Sequence, residues 1–180
     1  MAHSLLLIPV PEAESVVRPR LERHSPEYLS PDPDETTAHI TILNPFADLD
    51  SIDEGLIFEL RGFFADVLPF TFRLTSICEL TSSSTSGTTY LSPEPAAPFR
   101  MLTHELCRHF PEFPPYGGRF EEVVPHLSVP IPDGEAVDNL RFELESRLPI
   151  VAHAREAALY WREPRASRTL ETFPFGTTAA

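Results

Sequence analysis

The sequence predicts an α+β protein built mainly of antiparallel sheet, with helices packed outside. Two observations lead to this class. Strand-like and helix-like segments alternate along the 180 residues, so neither type fills the chain. No glycine-rich turn marks a dinucleotide-binding fold. With 42% hydrophobic residues, the chain is long enough to bury most of its apolar surface as one domain or as two intimately packed lobes.

The first half of the chain contains three predicted strands and two predicted helices. The strands are expected at residues 5–10, 38–43 and 70–80, and the helices at residues 12–24 and 48–64. Pro19 lies within the first helical segment, and we expect it to begin or kink that helix because proline has no N–H to donate. The second helix is expected to begin at a cap formed by Asp48, Asp50 or Ser51.

The second half continues the alternation after a polar stretch. Residues 81–89 form a Ser/Thr/Gly tract that we expect to be a mobile loop, closing a hairpin between the strand at 70–80 and a short strand at 89–91. Leu102, Leu106 and Phe110 have helical spacing, and Pro111 ends that helix. The remaining elements are expected as a strand at 125–130, a helix at 133–148 and strands at 150–154, 157–162 and 170–175.

The charge balance excludes several classes of function. The chain has 14 Lys+Arg against 27 Asp+Glu, a net charge of −13, and every one of its cations is arginine. Tight binding to long duplex nucleic acid is therefore not expected, because a polyanion would be repelled. The absence of lysine excludes a phosphate-binding loop, a ligase that carries AMP on lysine, and Schiff-base chemistry.

The N-terminal residues and the cysteines set the expected compartment. Residues 1–10 contain a short apolar run without a basic leader or a cleavage site, and no segment approaches the roughly 20 apolar residues of a membrane span. Cys78 and Cys107 do not form a disulfide or metal framework. We expect a cytoplasmic protein that does not contact a membrane.

One short pattern occurs twice, 87 residues apart: His39-Ile40-Thr41 and His126-Leu127-Ser128. Successive side chains of a strand point to opposite faces, so the histidine and the hydroxyl of each copy share one face. Two such strands facing each other would place two imidazoles and two hydroxyls around one small cavity, which suits a phosphate. The candidate site residues are His39, Thr41, His126 and Ser128.

Other interpretations remain open at this point. An isolated histidine on a strand is usually structural, and a metal site at His39 and His126 lacks further Cys or His ligands at characteristic spacing, so no metal is expected. Four further side chains are either packing residues or substrate contacts. Tyr90, Phe72 and Tyr116 have the chemistry to stack on a base, and Arg119 to reach a phosphate.

The paired motifs, with Pro45 beyond the first and Pro125 before the second, resemble those of the two-histidine (2H) phosphoesterases. The closer likeness is to the branch named for 2′-5′ RNA ligase and cyclic phosphodiesterase, and it extends over most of the chain, including the segment Tyr90-Leu91-Ser92-Pro93. The resemblance implies a bilobal fold in which two mainly antiparallel sheets line a central cleft, with helices outside. Residues 1–180 would form a single domain of two pseudo-symmetric lobes, each contributing one His-x-Thr/Ser strand.

The resemblance also implies a reaction. His39 and His126 would serve as paired acid and base in hydrolysing 2′,3′-cyclic phosphates or 2′-5′ linked ends, with Thr41 and Ser128 holding the phosphate oxygens. No cofactor or metal would be needed, and the reverse reaction would make a 2′-5′ linkage without ATP. The partner would be a small nucleotide or an RNA end, bound by a monomer. The alternative is a non-catalytic nucleotide- or phosphate-binding module on the same fold.

Overall fold

A computed structural model describes residues 2–82, 85–118, 123–131 and 136–176. Eight strands and four α-helices lie within these ranges. In chain order they are β1 His3–Pro9, α1 Glu14–His24, β2 His39–Leu43, α2 Glu54–Ala65, β3 Phe70–Ser82, β4 Thr85–Glu94, α3 Ala97–His109, β5 Leu127–Ser128, α4 Val137–Leu144, β6 Ile150–Ala154, β7 Glu156–Arg162 and β8 Arg168–Pro174.

The strands form two four-stranded sheets, in the orders β2-β1-β7-β8 and β5-β4-β3-β6. Every pair of neighbouring strands is antiparallel. The predicted class is confirmed: two antiparallel sheets line a central cleft, and the helices lie outside. The strands that carry the two histidine motifs, β2 and β5, are each at the edge of a different sheet. Their Cα atoms approach within 8 Å, so these two edges meet.

Alternation along the strands divides the first sheet into two faces. Leu6, Ile8 and Ile40 are fully buried on one face, where they belong to the main hydrophobic core. Burying an aliphatic side chain of this size stabilises the fold by about 1.5–3 kcal/mol. On the same face α3 packs against β2, and the Thr103 hydroxyl donates a hydrogen bond of 2.8 Å to the Ile42 carbonyl. The other face of β2 is thus left for the cleft.

Helix α1 corrects the expectation for Pro19. The helix begins at Glu14 and continues through Pro19 to His24, so Pro19 does not begin it. A short 3-10 turn, Pro11–Ala13, precedes the helix and packs on β6. Pro11 occupies the first position of this turn, where a missing N–H costs little. The helical segment therefore starts at Pro11 rather than at Pro19.

The polar tract is also more ordered than expected. β3 extends to Ser82 and β4 begins at Thr85, with Leu80 paired to Thr88, so most of residues 81–89 are in strands and residues 83–84 lie outside the described part. Threonine is β-branched and favours extended backbone.

Two predicted helix ends differ as well. The N-cap of α2 is Asp53, whose side chain accepts a 2.8 Å hydrogen bond from the Leu56 N–H, rather than Asp48, Asp50 or Ser51. The final helix is shorter than the predicted 133–148, since α4 spans Val137–Leu144 and residues 132–135 lie outside the described part.

Candidate active site

The first motif lies on β2 with the predicted division of faces. His39 and Thr41 are half-buried on the cleft side, whereas Ile40 and Ile42 are buried in the core. On the neighbouring strand β1, Pro9 is paired with His39. Because β2 is an edge strand, no other strand of its sheet covers the outer side of this motif.

The second motif lies on a much shorter strand than predicted. Only Leu127–Ser128 is paired, and His126 precedes the strand. Pro125 and Pro130 flank this segment, and proline cannot donate to a strand ladder, which limits the pairing. Leu127 and Val129 are buried, while His126 is half-buried and Ser128 is exposed. The division of faces is the same as in the first motif.

Both histidines are held by the same hydrogen bond. The Nδ1 atom of His39 lies 2.7 Å from the carbonyl oxygen of Thr37, and the Nδ1 atom of His126 lies 2.8 Å from that of Val124. A carbonyl oxygen only accepts, so each Nδ1 carries the proton and donates it. In the neutral ring the lone pair is then on Nε2. The carbonyl lies two residues before the histidine in each copy, a symmetry that side-chain types do not reveal.

The two imidazoles are close enough to affect each other. Burial lowers the pKa of His39 below its ordinary value of 6.5, and the positive charges of Arg162 and His126 lower it further. The Thr37 carbonyl and the Glu14 carboxylate act in the opposite direction on this pKa. His39 is therefore mainly neutral at pH 7, with a lone pair on Nε2 that can accept a proton.

A tyrosine from another strand lies beside each histidine. The Tyr160 ring on β7 is stacked on His39 with 6.5 Å between ring centroids, and the Tyr90 ring on β4 meets His126 edge-on at 5.6 Å. The sequence pointed to Tyr90 but not to Tyr160. The alternation of side chains along β7 could have indicated Tyr160, because it places Tyr160 and Arg162 on one face of the strand. The Arg162 guanidinium itself lies 4.4 Å from the centre of the Tyr28 ring.

The remaining sequence candidates are not brought to this site. Phe72 is 1% exposed and packs edge-on against Phe99, so it is a core residue. The side chain of Tyr116 and all of Arg119 lie outside the described residues. His153, on β6, has Nδ1 3.1 Å from the Thr71 hydroxyl and takes no part in the paired motifs.

A cavity of about 420 Å³ is lined by Pro9, the strand partner of His39, and by Tyr160, whose ring is stacked on His39. The residues of the two histidine motifs do not themselves line it. The loop at residues 30–36 forms the opposite wall and contributes Asp32, Asp34 and Glu35. The volume is within the range of small-molecule sites. The carboxylates favour an uncharged group with N–H donors over a further phosphate.

A larger cavity, of about 870 Å³, lies between α2 and α3. Its walls are mainly apolar, with Phe58, Phe63 and Met101 among them, and contain neither histidine motif. The larger cavity therefore lies apart from the paired histidines. Across the described part of the chain, no three His, Cys, Asp or Glu side chains are grouped so as to hold a metal ion. No helix of that part is long and apolar enough to cross a membrane.

Solved structures share this fold along nearly the whole chain. E. coli LigT in complex with ATP is 17% identical, with 97% of each chain covered and a TM-score of 0.58. The same protein in complex with 3′-AMP is 16% identical, with 96% of this chain and 97% of the other covered and a TM-score of 0.58. TT0787 of Thermus thermophilus is 15% identical, with 99% of this chain and 100% of the other covered and a TM-score of 0.58. At these identities the likeness concerns the fold.

A comparison with family models is more specific. None of the curated proteins compared with the chain matches it. The family model described as the 2′-5′ RNA ligase superfamily matches residues 9–166, a span that contains both His-x-Thr/Ser motifs and both edge strands. The chain therefore belongs to the 2′-5′ RNA ligase superfamily, a group of 2H phosphoesterases, as its paired motifs predict.

Proposed function

We propose that the protein is a metal-independent phosphodiesterase that hydrolyses 2′,3′-cyclic phosphates or 2′-5′ linked ends of RNA and nucleotides. The observation that carries the proposal is the matched pair of Nδ1 hydrogen bonds, from His39 to Thr37 and from His126 to Val124. They leave two Nε2 atoms available where two sheet edges meet. One imidazole can then accept a proton while the other donates one, as cleavage of a phosphodiester requires.

His39 is the general base for hydrolysis in this proposal, because its lowered pKa keeps it mainly neutral at pH 7. Its Nε2 takes a proton from water as the water oxygen forms a bond to phosphorus. The bond from phosphorus to one ribose oxygen breaks, and protonated His126 gives a proton to that oxygen. Each proton transfer contributes a factor of about 10²–10⁴ in rate.

Thr41 and Ser128 hold the phosphate. Each follows its histidine by two residues in extended backbone, on the same side of the chain, so its hydroxyl can donate to a non-bridging phosphate oxygen beside the imidazole. Negative charge on these oxygens changes as water attacks, and a hydroxyl donor placed there stabilises the transition state. Both motifs belong to one chain, so the proposal takes residues 1–180 to act as one domain and as a monomer.

Small nucleotides suit the site better than long RNA. The net charge of −13 opposes a long polyanion. The cavity of about 420 Å³ beside His39 has room for a nucleoside. E. coli LigT, which shares the fold, has been solved in complex with ATP, 3′-AMP and NADP+. In the reverse direction the histidines exchange roles, and a 5′-hydroxyl attacks the cyclic phosphate to give a 2′-5′ linkage without ATP.

The test is turnover of 2′,3′-cyclic AMP in the presence of EDTA. His39→Ala and His126→Ala should each lose a factor of about 10²–10⁴ in kcat. His153→Ala, which removes an imidazole from β6 outside the motifs, is the matched control and should retain wild-type activity. Equal activity in all four proteins would refute the proposal. Saturable binding by calorimetry without product would instead favour a nucleotide-binding module.

A further inference from the structure

Glu14, the first residue of α1, connects that helix to the segment before β2. One carboxylate oxygen, Oε2, accepts hydrogen bonds from the N–H groups of Thr37 and Ala38, both at 2.8 Å. The other, Oε1, accepts a bond of 2.8 Å from Nε of Arg18, one turn further along α1. The Glu14 side chain is 24% exposed, so these bonds are partly shielded from water.

The segment that Glu14 holds is the one that holds His39. The Thr37 N–H donates to Glu14, and the Thr37 carbonyl accepts from His39 Nδ1. The next residue, Ala38, also donates to Glu14, and its carbonyl accepts a 2.8 Å bond from the Val10 N–H. Both N–H groups and both carbonyls of this dipeptide are thus fixed. The acceptor that sets the orientation of the imidazole therefore has little freedom to move.

A carboxylate satisfies all three of these donors, whereas other side chains satisfy only some of them. Glu14 accepts three hydrogen bonds on two oxygens, which an ionised carboxylate does without donating any. Glutamine in the same place could accept both backbone N–H groups through its oxygen. Its amide nitrogen would then face Nε–H of Arg18, donor against donor, and the negative charge would be lost. Alanine would remove all three bonds.

We propose that Glu14 is a positioning residue, which fixes the Thr37–Ala38 segment and, through the Thr37 carbonyl, the ring orientation and tautomer of His39. Its effect on turnover rests on the proposed function, whereas its effect on His39 does not. Charged and titratable groups face His39 from several elements: Glu14 of α1, Arg162 and Tyr160 of β7, and His126 before β5. Of these, Glu14 is the one whose charge raises the pKa of His39.

The experiment compares Glu14→Gln and Glu14→Ala with the wild type by ¹H–¹⁵N NMR of the histidine rings and by kinetics on 2′,3′-cyclic AMP. Glu12→Gln is the matched control, because Glu12 also accepts a backbone N–H, that of His153 on β6, at 3.1 Å. In Glu14→Ala we expect His39 to lose its single Nδ1–H tautomer. We also expect kcat to fall by about 10- to 100-fold with little change in KM, the loss that accompanies a misplaced catalytic group.

In Glu14→Gln we expect the His39 tautomer to be retained and the loss of kcat to be smaller. The pKa of His39 should fall, because the negative charge that raises it is removed. An unchanged His39 tautomer and unchanged kcat in Glu14→Ala would overturn the proposal. If Glu14→Ala does not fold, an unchanged His39 titration in Glu14→Gln would overturn it. A wild type that turns over no cyclic phosphate would refute the proposed function, and the NMR result would still decide the role of Glu14.

Discussion

The Thr41 hydroxyl offers the sharpest perturbation of the proposed phosphate site. Thr41→Val removes the hydroxyl and keeps a β-branched side chain of nearly the same shape, at a half-buried position on β2. Within the described residues this hydroxyl has no hydrogen-bond partner. The substitution therefore breaks no bond of the folded chain, and we expect the free energy of unfolding to change by about 0.5 kcal/mol or less.

Catalysis should respond far more strongly than stability. Removing one donor to a developing oxyanion typically costs about 10²–10³ in kcat, or roughly 2.7–4 kcal/mol of transition-state stabilisation. Thr41→Val should fall in that range on 2′,3′-cyclic AMP with a smaller change in KM, because the bond strengthens in the transition state. Kinetics and thermal unfolding of the same samples separate the two effects. A variant with wild-type kcat would refute the assignment of Thr41 to the phosphate.

Two further predictions concern electrostatics and packing. The positive charge of Arg162 lowers the pKa of His39, so this pKa should rise in Arg162→Gln. The acidic limb of the kcat/KM profile should then move to higher pH, opposite to the shift expected in Glu14→Gln. An acidic limb that stays in place would show that Arg162 does not act on His39. Ile40 is fully buried between His39 and Thr41, so Ile40→Ala should lower the free energy of unfolding, measured by urea titration, by about 2–5 kcal/mol. The control is Phe58→Ala, at a side chain that is 75% exposed, which should change this free energy by about 0.5 kcal/mol or less.

The local sequence pattern was sufficient to predict which side chains of one strand share a face. The alternation of His39 and Thr41 with buried Ile40 and Ile42 follows from the two-residue period of a strand. The same period in β7 would have pointed to Tyr160. What the sequence lacks is the sheet order: that β2 and β5 are both edges, and that these edges meet, depends on long-range pairing.

The groups that hold the two histidine rings in place were harder to predict, for a different reason. Thr37 and Val124 act through backbone carbonyls, which every residue carries, so residue type gives no signal. Glu14 acts across 23 residues of chain, and only the packing of α1 beside the start of β2 brings it to Thr37. Of the two effects expected of Pro19, that it begins the helix or kinks it, the first is wrong, because the helix already starts after Pro11.

In the proposed mechanism His39 and His126 act together as base and acid on one phosphate. The pH dependence of kcat/KM for 2′,3′-cyclic AMP in EDTA tests it most directly, because this profile reports the protonation states of the free enzyme. We expect a bell-shaped profile. Its acidic limb should lie below pH 6.5, where His39 becomes protonated and can no longer take a proton from water. A flat profile, or loss of activity in EDTA, would contradict this mechanism.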